Sequence, residues 1–170
     1  MAPKSGFPAF RPPGHDHHAC VADALQAAAA VCRRRGARLT PQRRQVLEIV
    51  WASHEPIGAY AIMEQLGDGG RRAAPPTVYR ALEFLAAHGL VHRIETLNAY
   101  VGCDRPGEGH AGRFLLCERC GAAAEIESAS IDKGITRAAR ERGFNVHQAT
   151  VEIRGVCPNC QAGPEAAAAS

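Results

Sequence analysis

The chain has 170 residues, with 20 Lys and Arg against 17 Asp and Glu, a net charge of +3 and seven cysteines. That length suits one ordinary domain or two small ones, and no stretch approaches the ~20 apolar residues of a membrane span, which excludes a spanning helix. Charge is uneven: residues 1–97 carry 12 basic and 8 acidic side chains, residues 98–170 carry 8 and 9. A mildly basic N-terminal half fits nucleic-acid contact, as it fits many solvated surfaces. The opening MAPKSGFPAFRPPG has no apolar run of signal-peptide length. A cytoplasmic, reducing setting is therefore expected, with paired cysteines as metal ligands rather than disulfides.

Residues 1–18 are rich in Pro, Gly and His and are expected to form a disordered tail. Within it the run His15-Asp16-His17-His18 offers metal donors, although a solvated tail is the simpler reading. A first helix is expected over about Ala19–Arg35, alanine-rich and stopped by Gly36. Its terminal Arg33, Arg34 and Arg35 either complement the helix dipole or reach a phosphate. Thr40-Pro41 marks the start of a second helix, a capping hydroxyl followed by proline at the first helical position. It runs to about Ser53, with Val46, Leu47 and Val50 facing a core. A short third helix covers about Ala59–Leu66, and Gly67-Asp-Gly-Gly70 breaks the chain.

Pro75-Pro-Thr77 opens a fourth helix that ends near His88 and Gly89. Val78, Leu82 and Leu85 fall at i, i+4 and i+7, a buried stripe that leaves Thr77 and Arg80 on other faces. Two strand-like runs follow, Val91–Glu95 and Asn98–Gly102, joined by a tight turn. Three helices and a hairpin in this order make a winged helix-turn-helix, its fourth helix suited to the major groove.

After Gly102 the character changes. Residues 103–112 read as a hinge, and residues 113–162 as a small α/β unit before a second loose tail, 163–170. Strands are expected at Arg113–Cys117, Ala123–Glu127 and Phe144–Arg154, with a helix over Ile131–Arg142. The fold class is thus α+β: a winged-helix domain over residues 19–102 and a small C-terminal domain.

Cys117-x-x-Cys120 and Cys157-x-x-Cys160 lie 36 residues apart and supply four thiolates, a closed tetrahedral zinc site. A second set, His92, Cys103, His110 and Glu125, is grouped by topology: the wing, its end, the hinge and the second unit. Each member alone reads as readily as a structural or exposed side chain. A metal held by all four would fix the angle between the two units.

Five segments carry a resemblance: Arg38-Leu-Thr-Pro-Gln-Arg43, Pro75-Pro-Thr-Val-Tyr-Arg-Ala-Leu82, Gly89-Leu-Val-His92, Cys117-Glu-Arg-Cys-Gly121 and Gly155-Val-Cys-Pro-Asn-Cys160. Their order and spacing resemble the ferric uptake regulator superfamily, and within it the zinc uptake regulator branch, over about Val31–Cys160. The resemblance implies a winged-helix reader joined to a dimerisation domain over residues 113–162. It puts structural zinc on the four paired cysteines and sensory zinc on His92, Cys103, His110 and Glu125, two Zn2+ per chain. It puts DNA contacts on Tyr60 and Arg80, flanked by Thr77 and Tyr79, although Tyr60 reads as readily as a core aromatic. The iron- and peroxide-sensing relatives carry a His- and Asp-rich run before the first cysteine pair, where this chain has His110-Ala-Gly-Arg113. Those relatives also have a histidine six residues after a glycine, where here His147 follows Gly143 by four. A thiolate in a mixed N/S/O set favours zinc over ferrous iron or manganese.

The expected function is a zinc-responsive repressor of zinc-uptake genes, binding a palindromic DNA operator as a homodimer. The nearest alternative is a relative sensing iron, manganese or peroxide. A zinc hydrolase or deaminase is remote, because His-x-Glu and Pro-Cys-x-x-Cys are both absent, so no catalytic residue is assigned. A purely structural zinc-ribbon module leaves the Pro75–Leu82 helix and the hairpin without a role.

Overall fold

The computed structural model describes residues 10–12, 14–67, 72–110 and 112–162. Most of the Gly-rich break, and the tails at 1–9 and 163–170, lie outside them. Within the expected N-terminal tail, Asp16 caps a helix by accepting from the amide of His18 at 2.9 Å. That helix, α1 (His17–Arg34), begins two residues before the expected start, so His17 and His18 belong to its first turn rather than to a loose tail.

Helices α2 (Pro41–Trp51), α3 (Ala59–Leu66) and α4 (Pro75–Ala87) follow. Thr40 caps α2 through the amide of Arg43 at 3.4 Å, with Pro41 at the first position as local chemistry requires. Val46, Leu47 and Val50 of α2 pack against Val78, Leu82 and Leu85 of α4, all essentially inaccessible. Helix α4 stops where Gly89 takes φ +65°, a conformation that favours glycine.

A three-stranded sheet of order β1-β3-β2 closes this half, formed by β1 (Ile57–Gly58), β2 (Val91–Ile94) and β3 (Ala99–Gly102). The hairpin was legible; β1 was not, because two residues paired to Tyr100 and Ala99 are too short to show alternation. Trp51 lies against β3 at Gly102, where an added Cβ would sit 2.1 Å from the indole.

The second sheet has order β5-β4-β6, built from β4 (Arg113–Cys117), β5 (Ala123–Glu125) and β6 (Val151–Gly155). Strand β4 pairs antiparallel with β5 and parallel with β6, and α5 (Ala129–Arg140) lies in the crossover between them. The strand expected over Phe144–Arg154 is a correction: only its end pairs. Its register begins at Arg113↔Val151, where β4 itself begins, so residues 144–150 have no strand beside them. A one-turn helix, α6 (Pro158–Gln161), shapes the last cysteine loop.

The two halves share a seam. Ile94 and Val101 of the hairpin bury against Phe114, Leu116 and Ala123 of the second sheet. The amide of Ala123 donates to the carbonyl of His54 at 2.9 Å. Glu152 on β6 accepts from the amides of Glu95 and Thr96 at 2.6 and 3.1 Å, clasping the hairpin turn.

Candidate metal centres and nucleic-acid interface

Cys117, at the end of β4, and Cys120, in the turn after it, meet Cys157 and Cys160 at the start of α6. All four sulfurs lie within 4.8 Å of one another. A tetrahedral zinc with Zn–S bonds of about 2.3 Å has S···S edges of about 3.8 Å. The Cys120–Cys157 separation is 3.8 Å. The amide of Cys157 donates to Cys117 Sγ at 3.3 Å, and amide donation of this kind holds the Cys117 thiol down at about 6. Cys117 and Cys157 are buried, Cys160 is half-buried and Cys120 is exposed; four thiols in one cluster could fill all four positions of a structural zinc.

The second set converges at the seam. His92 comes from β2, Cys103 follows β3, His110 lies between the two sheets and Glu125 ends β5. Glu125 Oε1 lies 2.6 Å from His110 Nε2 and 3.3 Å from His92 Nε2, and Cys103 Sγ lies 3.5 Å from His110 Nε2. For tetrahedral zinc, N···O and N···S edges are about 3.3 and 3.6 Å from the usual bond lengths. Two of the three separations match; the third is at hydrogen-bond length. His92 Nε2 and Glu125 Oε2 are buried without a hydrogen bond among the described residues, while Glu125 Oε1 meets the ring nitrogens of His110 and His92. Buried polar atoms are ordinarily paired, and a cation is the partner this donor set fits. His110 Nδ1 donates to the Glu108 carbonyl at 2.7 Å, which turns Nε2 toward the site, as outer-shell partners of metal-bound histidines do.

Burial shifts three members of this quartet. Burial, reinforced by Glu125, pushes the Cys103 thiol up to about 12, and burial also raises Glu125. Burial, with His110 beside it, lowers His92 to about 4. His92 is thus already neutral at neutral pH, whereas Cys103 must lose a proton to become a ligand. The proton released from Cys103 is expected to contribute a rise in zinc affinity of about one log unit per pH unit between pH 6 and 8. His92 adds nothing to that slope above about pH 5, and Glu125 steepens it toward acid. Competitive zinc titrations at several pH values measure the slope, and a flat profile would remove Cys103 from the ligand set.

The residues that the resemblance assigns to DNA lie on α3 and α4. Tyr60 on α3 is 66% accessible, which rules out the alternative of a core aromatic, and Tyr79 on α4 is 46% accessible. Arg80 is exposed and Thr77 half-buried, one turn apart on α4. Arg72 was not singled out from sequence, yet its guanidinium lies 4.8 Å from the Tyr60 ring centroid and pairs with Glu64 at 2.6 Å. Its only sequence signal was its place just before α4. Arg43 similarly covers the Phe84 ring at 3.5 Å.

A family model described as "Ferric uptake regulator family" matches residues 34–154. The zinc uptake regulation protein of Escherichia coli (strain K12) is 37% identical over 139 residues, 80% of each chain. The solved structure of holo XcZur is 37% identical and superimposes with a TM-score of 0.75, covering 83% of this chain and 99% of that one. A zinc uptake regulator complexed with zinc and DNA is 34% identical, also at TM-score 0.75, covering 84% and 95%.

Proposed function

This chain belongs to the ferric uptake regulator family, and we propose how its own residues divide the work of a zinc-responsive repressor of zinc-uptake genes. It is a DNA-binding transcription regulator rather than an enzyme. Cys117, Cys120, Cys157 and Cys160 hold structural zinc; His92, Cys103, His110 and Glu125 hold sensory zinc. The observation that carries the sensory assignment is the convergence of the buried donors of His92, His110 and Glu125 beside Cys103 at the seam, all within 4.8 Å of one another.

Zinc bound by the quartet supplies a four-coordinate cross-link between the winged-helix half and the second sheet. His92 and Cys103 flank the hairpin, so their positions follow the orientation of α4. Glu125 ends β5, whose first residue, Ala123, donates its amide to the His54 carbonyl. The four donors therefore meet in only one arrangement of the halves, and ligation selects it from a looser ensemble. Zinc and operator then tighten each other's binding by linkage.

A homodimer reads the operator. Helix α5 is amphipathic but buries none of its residues, β6 is a sheet edge with Ile153 42% accessible, and Phe144, which follows α5, is 65% accessible. A second copy would cover that apolar surface, and two-fold symmetry would present two α4 helices to a palindrome. No helix of the described residues is long and apolar enough to cross a membrane, and we place the protein in the cytoplasm, where its operator DNA is.

The test is a gel shift on the protein's own promoter region with zinc, iron, manganese or chelator. Retardation by zinc at the lowest free concentration supports the reading; preferential response to iron or manganese overturns it. For Arg80, a bidentate contact to guanine is worth about 1–3 kcal/mol of discrimination. Arg80→Ala is expected to weaken target DNA by about 5- to 150-fold while sparing a scrambled duplex. Equal loss on both would make Arg80 a phosphate clamp.

A further inference from the structure

Three donors outside both zinc sets converge where the start of α1 meets the end of α2. His15 Nε2 lies 2.7 Å from His54 Nε2, and Cys20 Sγ joins them within a 4.8 Å span. His15 Nδ1 donates to the Pro12 carbonyl at 3.0 Å. That bond fixes the tautomer and leaves a lone pair on Nε2, the same outer-shell arrangement found at His110. His17 stands alongside, its ring 4.2 Å from His15 and 5.0 Å from His54. His17 Nδ1 is buried without a hydrogen bond among the described residues. His17 and Cys20 are at i and i+3, on one face of the helix that Asp16 caps.

Three imidazoles packed together with a buried thiol make a poor polar cluster by themselves. At most one proton can be shared between His15 and His54, which leaves His17 Nδ1 and Cys20 without a share. Protonation gives no relief, since burial with His15 and His17 beside it lowers His54 to about 4. Neutral imidazoles and a thiol that can ionise on binding are the donors of borderline-soft zinc.

We propose that His15, Cys20 and His54 form a third zinc site, with His17 beside its fourth coordination position. The site is separate from the sensory quartet but shares its surroundings. One cleft of about 650 Å³ is lined by His15, Cys20 and His54 as well as by Cys103 and Glu125. His54 also holds the amide of Ala123, two residues before Glu125, through its carbonyl. Zinc here staples α1 to the seam. His15 and Cys20 precede the family-matched span of residues 34–154, and His54 lies within it.

The experiment counts zinc. Full-length protein is equilibrated against micromolar free zinc and assayed by atomic emission, with circular dichroism to check folding. Wild type is expected to hold three zinc ions per chain. His15→Ala and Cys20→Ser are each expected to lose one while keeping helical content and zinc-dependent operator retardation. In the wild type, the ring proton signals of His15 and His54 should shift only with the third equivalent. A wild-type count of two that His15→Ala leaves unchanged overturns the site. Cys103→Ser is counted in parallel: loss of one ion there reports the quartet independently, so failure of the third site and failure of the sensory assignment give different results.

Discussion

Cys103→Ser should leave a folded dimer that holds one zinc fewer than wild type and no longer tightens on its operator when zinc is added. The substitution replaces sulfur by oxygen at a 2% accessible position and leaves the backbone bond from Cys103 to the Leu90 carbonyl (3.1 Å) in place. A serine hydroxyl does not ionise near neutral pH, so the quartet falls to three donors. Losing an outer-shell partner alone costs metal sites about 10–100-fold in affinity, and losing a thiolate should cost more than about 100-fold. The operator effect is bounded by the coupling between the two sites, typically about 5–150-fold. Fluorescence anisotropy on labelled operator across a zinc series measures it, with size-exclusion chromatography reporting the dimer. Wild-type operator affinity in this variant, with and without chelator, would dismiss the sensory assignment.

Cys157→Ser should have a larger and different effect, the loss of the C-terminal half as a folded unit. The cluster of buried apolar residues at the seam has five members, and neither α5 nor β6 buries a residue of its own. Small domains of this kind depend on metal, and structural zinc in zinc-finger peptides contributes about 10–16 kcal/mol at neutral pH. Cys157 supplies both a sulfur and the amide that holds Cys117. The variant is expected to lose its structural zinc, run as a monomer and melt non-cooperatively, with operator binding abolished at every zinc concentration. A dimer with wild-type melting would mean that the four cysteines are dispensable to the fold. Size and melting together separate this outcome from that of Cys103→Ser, which touches the signal and spares the scaffold.

The N-terminal helices were legible because their signals are local. Thr40 and Pro41 act within one turn, Gly89 stops α4 by its own backbone angle, and the stripe of Val78, Leu82 and Leu85 states which face is buried. Elements defined by a partner were less visible. Strand β1 exists because Tyr100 and Ala99 lie opposite it, and residues 144–150 are not strand because β4 begins only at Arg113, opposite Val151. Tyr60 read equally as core or surface until the packing of α3 left it two-thirds accessible.

The metal sites divide along the same line. Two residues between paired cysteines put two sulfurs on one ion by chain geometry alone, so the structural site can be read from spacing, and thiolates name zinc as its occupant. His92, Cys103, His110 and Glu125 span 34 residues and could be grouped only along an expected seam, with a family resemblance behind it. His15 and His54 are 39 residues apart and carry no shared motif. Their meeting depends on α1 packing across α2, on the bond from Ala123 to His54 and on the apolar seam of Ile94, Val101 and Phe114. Local chemistry in the chain thus settles which atoms are able to bind a metal. Long-range packing, whose energy is spread over many non-specific apolar contacts, decides which of them come within reach of one another.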